Sequence, residues 1–144
     1  MVTNQIVIDA SGLVVGRLAA QCAKKALTGH EIKIYNIGKA VLSGNPKQIV
    51  EVYRKRRTMT DHANPENAAK WPRRPDFLFK KILSGMMPAS RRGKQALALV
   101  KAYVGSNVEK CAGVKRVKHS SKLGFKFISL QQLCNDLGGH QYNG

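Results

Sequence analysis

The sequence predicts an α/β domain on a mainly parallel sheet, with basic loops and a basic C-terminal arm. Three observations carry that prediction. Short β-branched runs alternate with helical patterns along residues 5–105 instead of gathering at one end of the chain. The first run, Ile6-Val7-Ile8, is apolar at successive positions, as in a strand covered on both faces. Finally, 144 residues with 43% hydrophobic side chains suit one folded domain and exclude a disordered basic tail. The domain divides into a core, 1–105, and a basic arm with a short terminal helix, 106–144.

Residues 5–9 form the first strand, and a helix follows from about Val14 to Leu27. Val15, Leu18, Ala19, Cys22 and Ala26 recur at helical spacing along it. Ser11 or Gly12 is suited to cap its start, and Gly29 ends it. Strands are expected at 31–36 and 39–42. Asn45-Pro46 then opens a second helix, with Asn at the cap, Pro at the first helical position and Gln48 three residues after the cap. Its apolar face is Ile49, Val52 and Tyr53, and it runs into Arg54-Lys55-Arg56-Arg57.

From Thr58 to Pro75 the pattern is lost in a polar loop containing three prolines. Helices resume at Asp76–Ser84, with Leu78, Phe79, Ile82 and Leu83 inward, and from Arg91 to about Leu99. A fourth strand fits Val100–Val104. After the irregular arm, 106–122, residues 125–128 are extended, with Phe125 and Phe127 expected inward. Ser129 and Gln132 make a capping box for a last helix holding Leu130, Leu133 and Leu137.

The cysteines, Cys22, Cys111 and Cys134, are odd in number and form no C-x-x-C pair, so neither a disulfide framework nor a zinc site is indicated. Cys22 and Cys134 fall within apolar helical patterns and read as reduced core residues. No apolar run approaches the roughly 20 residues that span a bilayer. The N-terminus lacks the layout of a secretory signal, which makes the cytoplasm the expected compartment. There is no G-x-S-x-G elbow, no H-E-x-x-H and no close carboxylate pair, so no catalytic residue, metal, cofactor or small-molecule substrate is expected.

Charge is the strongest functional signal. Lys and Arg number 25 against 8 for Asp and Glu, a net of +17. So large an excess on a small domain carries a self-repulsion cost that a polyanion relieves. No helix sets bulky apolar residues opposite a basic stripe, so nucleic acid is favoured over a membrane surface. Residues 51–100 alone hold 12 of the basic side chains. They cluster at Arg54, Lys55, Arg56 and Arg57, at Lys70 with Arg73 and Arg74, and at Arg91 and Arg92 with Lys94. A further cluster, Lys115-Arg116 with Lys118 and His119, stands in the arm. The candidate RNA contacts are Arg54, Lys55, Arg56, Arg57, Lys70, Arg73, Arg74, Arg91, Arg92, Lys94, Lys118 and His119; the Arg forks suit phosphate oxygens. Trp71, set among Lys70, Pro72 and Arg73, either stacks on a base or pins its loop to the domain.

Asp9-Ala10-Ser11-Gly12, between the first strand and helix, raises a rival reading, since nucleotide-binding units also begin with strand, glycine turn and helix. The turn offers only Gly12-x-x-x-Gly16, short of both the dinucleotide fingerprint and the P-loop. The simpler assignment is that Gly12 turns the chain and Gly16 lets helix and sheet pack closely. Asp9 then hydrogen-bonds into the helix turn. Gly124-Phe125-Lys126-Phe127-Ile128 partly matches an RNA-recognition-motif strand but fails at Leu123, Lys126 and Leu130.

Two separated stretches resemble signatures of the large-subunit ribosomal protein L-thirteen family in its archaeal form. The first is Ile8-Asp9-Ala10-Ser11-Gly12-Leu13-Val14-Val15-Gly16-Arg17-Leu18-Ala19. The second is Leu83-Ser84-Gly85-Met86-Met87-Pro88 followed by Arg92-Gly93-Lys94-Gln95-Ala96-Leu97 and Lys101-Ala102-Tyr103-Val104-Gly105. The tail from Ser121 to Leu130 is similar to the archaeal and eukaryotic branch. Two departures stand out. Arg57-Thr58-Met59-Thr60-Asp61-His62 replaces the glycine-rich segment of bacterial relatives, and Ser84-Gly85 precedes Met-Met-Pro where a basic residue is usual. The resemblance implies a three-layer α/β/α domain on about four parallel strands, built into the large subunit against ribosomal RNA and neighbouring ribosomal proteins. Its implied role is structure and assembly. The rivals are a nucleotide-binding enzyme using the carboxyl end of the sheet near Gly12 and Asn36, and a free nucleic-acid-binding regulator.

Overall fold

The computed structural model describes residues 5–60, 62–105 and 126–139. The basic arm, with Cys111, Lys115, Arg116, Lys118, His119 and Phe125, lies outside the described residues. The elements run β1 (Ile6–Asp9), α1 (Val15–Leu27), β2 (Ile32–Tyr35), β3 (Val41–Ser43), α2 (Pro46–Thr58), α3 (Pro75–Gly85), α4 (Arg91–Ala98), β4 (Val100–Ala102), β5 (Phe127–Ser129) and α5 (Leu130–Asp136). Short 3-10 turns lie at Ile37–Lys39 and Pro65–Asn67. No described helix is long and apolar enough to cross a membrane.

The α/β class is as expected. β1, β2 and β4 form a parallel sheet in the order β1-β2-β4, with Ile6, Ile32 and Val100 in register. β3 stands apart from it and pairs antiparallel with β5. The reason is chain length. Only residues 36–40 separate β2 from β3, and a parallel neighbour requires a crossover of a dozen or more. β3 instead meets the turn after β1, through one parallel bridge between Val14 and Val41.

Ile8, Ile32, Ile34 and Val100 on the sheet join α1, α3 and α5 side chains in one contiguous core. α1 supplies Val15, Leu18, Ala19, Cys22 and Ala26, as its helical spacing predicts. α3 supplies Leu78, Phe79 and Leu83, each fully buried, with Ile82 half-buried beside them. α1, α3 and α4 pack against one another on this side of the sheet.

Local signals hold at α2 and α5. The Asn45 side chain accepts from Lys47 N at 3.3 Å, and Ser129 Oγ accepts from Gln132 N at 3.2 Å. At α1 they do not. Val14 is the cap residue and offers no side-chain acceptor, while the Ser11 hydroxyl donates to Asp9 Oδ1 at 2.8 Å. Gly16 is not a packing glycine either, since a Cβ there meets nothing within 4 Å. Two inward assignments also change. Val52 is 46% exposed, with Val50 packed on the core in its place, and Phe127 is 49% exposed because Ile128 takes the inward position of β5.

Candidate nucleic-acid interface

The turn after β1 has no donors left for a phosphate. Ala10 N donates to Tyr35 O, Gly12 N to Lys39 O and Leu13 N to Ala10 O, at 2.9, 3.1 and 3.1 Å. Ser11 N donates to Asp9 Oδ1 at 3.1 Å, and Asn36 Nδ2 reaches the same oxygen at 3.0 Å. Four successive N–H groups are therefore spent inside the chain, whereas phosphate loops aim theirs at the ligand. Gly12 has φ +69°, the left-handed conformation the turn requires. Asp9 links β1 to its own turn and to Asn36 at the end of β2, so the feature is architectural.

The basic residues fall into groups with different local duties. At the end of α2, Arg56 places its guanidinium 5.1 Å from the ring centres of both Tyr53 and Trp71. Those rings meet edge to face at 5.7 Å. Trp71 thus pins its loop to the domain, the second of the two roles open to it. Lys55 pairs with Glu51 at 2.9 Å on the exposed side of α2, and that hydrogen bond holds the Glu51 carboxyl below its ordinary value. Arg54 lines a shallow groove with Lys47, Glu51 and Asp136.

Arg57, half-buried, and Arg73, exposed, both reach back to the domain's own backbone. Arg57 Nη1 donates to Leu137 O at 2.8 Å and Arg73 Nη1 to Gly138 O at 3.2 Å, both at the end of α5. Arg74 forms a two-point contact with Asp76, Nε to Oδ1 at 3.2 Å and Nη2 to Oδ2 at 2.9 Å, at the start of α3. Lys70 is exposed. A guanidinium carries five donors, so the single internal bonds of Arg57 and Arg73 leave others for a ligand.

Arg91, Arg92 and Lys94 occupy the first turn of α4 and are all exposed. Arg92 Nη2 donates to Leu27 O at 3.1 Å, tying α4 to the end of α1. Arg91 and Lys94 have no described side-chain partner. Ser90 gives no side-chain cap, and no acidic residue stands in this turn. Cations at the positive end of a helix dipole are unfavourable unless an anion joins them.

A second group lies outside the basic clusters of the sequence. Lys33-Ile34-Tyr35 and Lys101-Ala102-Tyr103 repeat K-x-Y on two strands, and the structure sets them side by side, with Tyr35 stacked on Tyr103 at 5.1 Å. The repeat was legible, but its register was not. Among the described residues, no group of three or more His, Cys, Asp or Glu side chains is arranged to hold a metal ion.

Residues 3–109 match the family model described as ribosomal protein L13. The chain is similar to the large ribosomal subunit protein uL13 of Natronomonas pharaonis, 35% identical over 94% of this chain and 92% of the relative. It is similar to that of Methanocaldococcus jannaschii, 37% identical over 92% of this chain and 96% of the relative. The uL13 protein of Aeropyrum pernix is 37% identical over 94% of this chain and 90% of its own length. With nearly the whole chain covered at these identities, the protein belongs to the ribosomal protein L13 family.

Proposed function

We propose that the first turn of α4 is the centre of a ribosomal RNA interface. As a member of its family the chain is a structural constituent of the large ribosomal subunit, and the proposal concerns how it holds its RNA. The observation that carries the reading is the first turn of α4 itself. Arg91, Arg92 and Lys94 crowd a helix N-terminus with neither a side-chain cap nor an acidic neighbour. Phosphate oxygens satisfy both the N–H groups and the cations there. Arg54, Lys55, Arg56, Lys70, Arg57, Arg73 and Arg74 extend the basic surface, with Lys118 and His119 assigned to the same role in the arm. Affinity then comes mainly from counterion release and specificity from RNA shape.

The test is binding to large-subunit ribosomal RNA as a function of salt. Arg91→Ala with Lys94→Ala should weaken binding and flatten the slope of log K against log salt by up to roughly two units. An unchanged slope removes this turn from the interface. Sedimentation of native extract checks the wider reading: the protein should travel with the large subunit and resist a salt wash, and a protein left at the top of the gradient at low salt contradicts it.

A further inference from the structure

The parallel sheet has a second face that the core does not use. Ile8, Ile32, Ile34 and Val100 point into the core and are at most 1% exposed. Side chains alternate along a strand, so Val7, Asp9, Lys33, Tyr35, Lys101 and Tyr103 share the opposite face, where the Asp9 carboxylate is held by Ser11 and Asn36. Val7 is buried but stands outside the contiguous core. Lys101 and Tyr103 are exposed, and Lys33 and Tyr35 half-buried.

The arrangement on this face is specific. Lys33 and Lys101 are register partners on adjacent strands. Like charges directly opposite each other destabilise a sheet. Among the described residues neither is in an ion pair; the pairs there are Lys55 with Glu51 and Arg74 with Asp76. Two residues further along, roughly 7 Å, Tyr35 and Tyr103 stack with planes 16° apart. Among the described residues β4 is the edge strand of this sheet, and Tyr103, just past it, is 41% exposed.

A cross-strand tyrosine pair alone strengthens a sheet and requires no lysines. A facing lysine pair alone only weakens it. Together they match what single-stranded nucleic acid requires: an aromatic platform for a base and cations for the adjoining phosphates. We propose that this face takes an unpaired nucleotide of the RNA, its base stacked on the outer side of Tyr103 and its phosphate held between Lys33 and Lys101. The proposal rests on the RNA-binding reading and adds a surface distinct from the first turn of α4.

The test uses the full chain with a labelled octauridylate and, separately, with large-subunit ribosomal RNA. Emission of Trp71, packed on α2 away from this sheet, reports that each variant is folded. Tyr103→Ala should weaken oligonucleotide binding about tenfold or more, while Tyr103→Phe retains it, because the ring and not the hydroxyl stacks. Lys33→Gln with Lys101→Gln should flatten the salt slope by about one unit. If all three variants bind the oligonucleotide like the parent while ribosomal RNA binding is intact, this proposal is overturned and the RNA-binding reading stands. If the parent binds neither RNA, both are overturned. Reduced incorporation of Tyr103→Ala into subunits, with unchanged affinity for both RNAs, assigns the face to a neighbouring protein and overturns the proposal as well.

Discussion

Arg57 Nη1 lies 2.8 Å from the carbonyl oxygen of Leu137, across 80 positions of sequence. With Arg73 on Gly138 O, it satisfies carbonyls at the end of α5 that have no partner within the helix. Both cations sit at the negative end of the helix dipole. Burial, and next the charge of Arg73, hold the Arg57 guanidinium below its ordinary pKa. Part of the basic sequence thus holds the domain to its own C-terminal helix. Arg57→Ala should lower the unfolding free energy by about 1.5–3 kcal/mol, the range for a hydrogen bond to a charged group. Arg57→Lys should recover little, since an ammonium does not reproduce the planar fork. Urea denaturation checks both, and parent-like stability in Arg57→Ala would show that the bond contributes nothing.

Trp71 closes a second junction. Its ring meets Tyr53 edge to face and lies under Arg56, which joins the loop before α3 to the face of α2. Trp71→Ala should cost about 2–3 kcal/mol, from lost burial together with the aromatic and cation–π contacts. Arg56→Ala should cost about 0.5–1 kcal/mol. Thermal melts followed by far-ultraviolet circular dichroism measure both, and a cost in Trp71→Ala no larger than in Arg56→Ala would contradict the pinning role.

Two glycines in helices should respond oppositely to alanine. At Gly93 a Cβ would overlap the Pro88 carbonyl oxygen, so α4 has to move. Gly93→Ala should destabilise by about 1–3 kcal/mol or more, as overpacking does. At Gly16 a Cβ meets nothing within 4 Å. Gly16→Ala should therefore stabilise by about 0.5–1 kcal/mol through helix propensity. Melting temperatures moving in the same direction would refute the pair.

Alkaline stability reports on the core. Burial pushes the thiols of Cys22 and Cys134 from 9.0 up to about 12, with Lys25 opposing the shift at Cys22 and Asp76 adding to it at Cys134. Burial also raises the Tyr53 hydroxyl. Below pH 9 both states keep their thiol protons and this contribution to stability is complete. Between pH 9 and about 12 the unfolded chain releases thiol protons that the native state retains, so stability falls as pH rises. Melts from pH 8 to 11 should decline less steeply in Cys22→Ala with Cys134→Ala than in the parent. Equal slopes would show that the thiols ionise freely in the native state.

The alternation of strand and helix, the Asn45-Pro46 start of α2, the Ser129 cap and the inward faces of α1 and α3 were legible in the chain, because each depends on neighbours within a few residues. The net charge of +17 was equally legible, and it pointed to a polyanion. Tertiary structure decided the rest. It paired β3 with β5, a partner more than 80 positions away, because the link from β2 is too short for a parallel crossover. It separated the arginines that hold the domain from those left to solvent, which sequence clusters cannot do, since Arg56 and Arg57 are adjacent yet face different partners. It also brought two K-x-Y segments 68 positions apart into one register. Period and composition are local properties of a chain, whereas register and the partner of a long side chain exist only once distant segments pack.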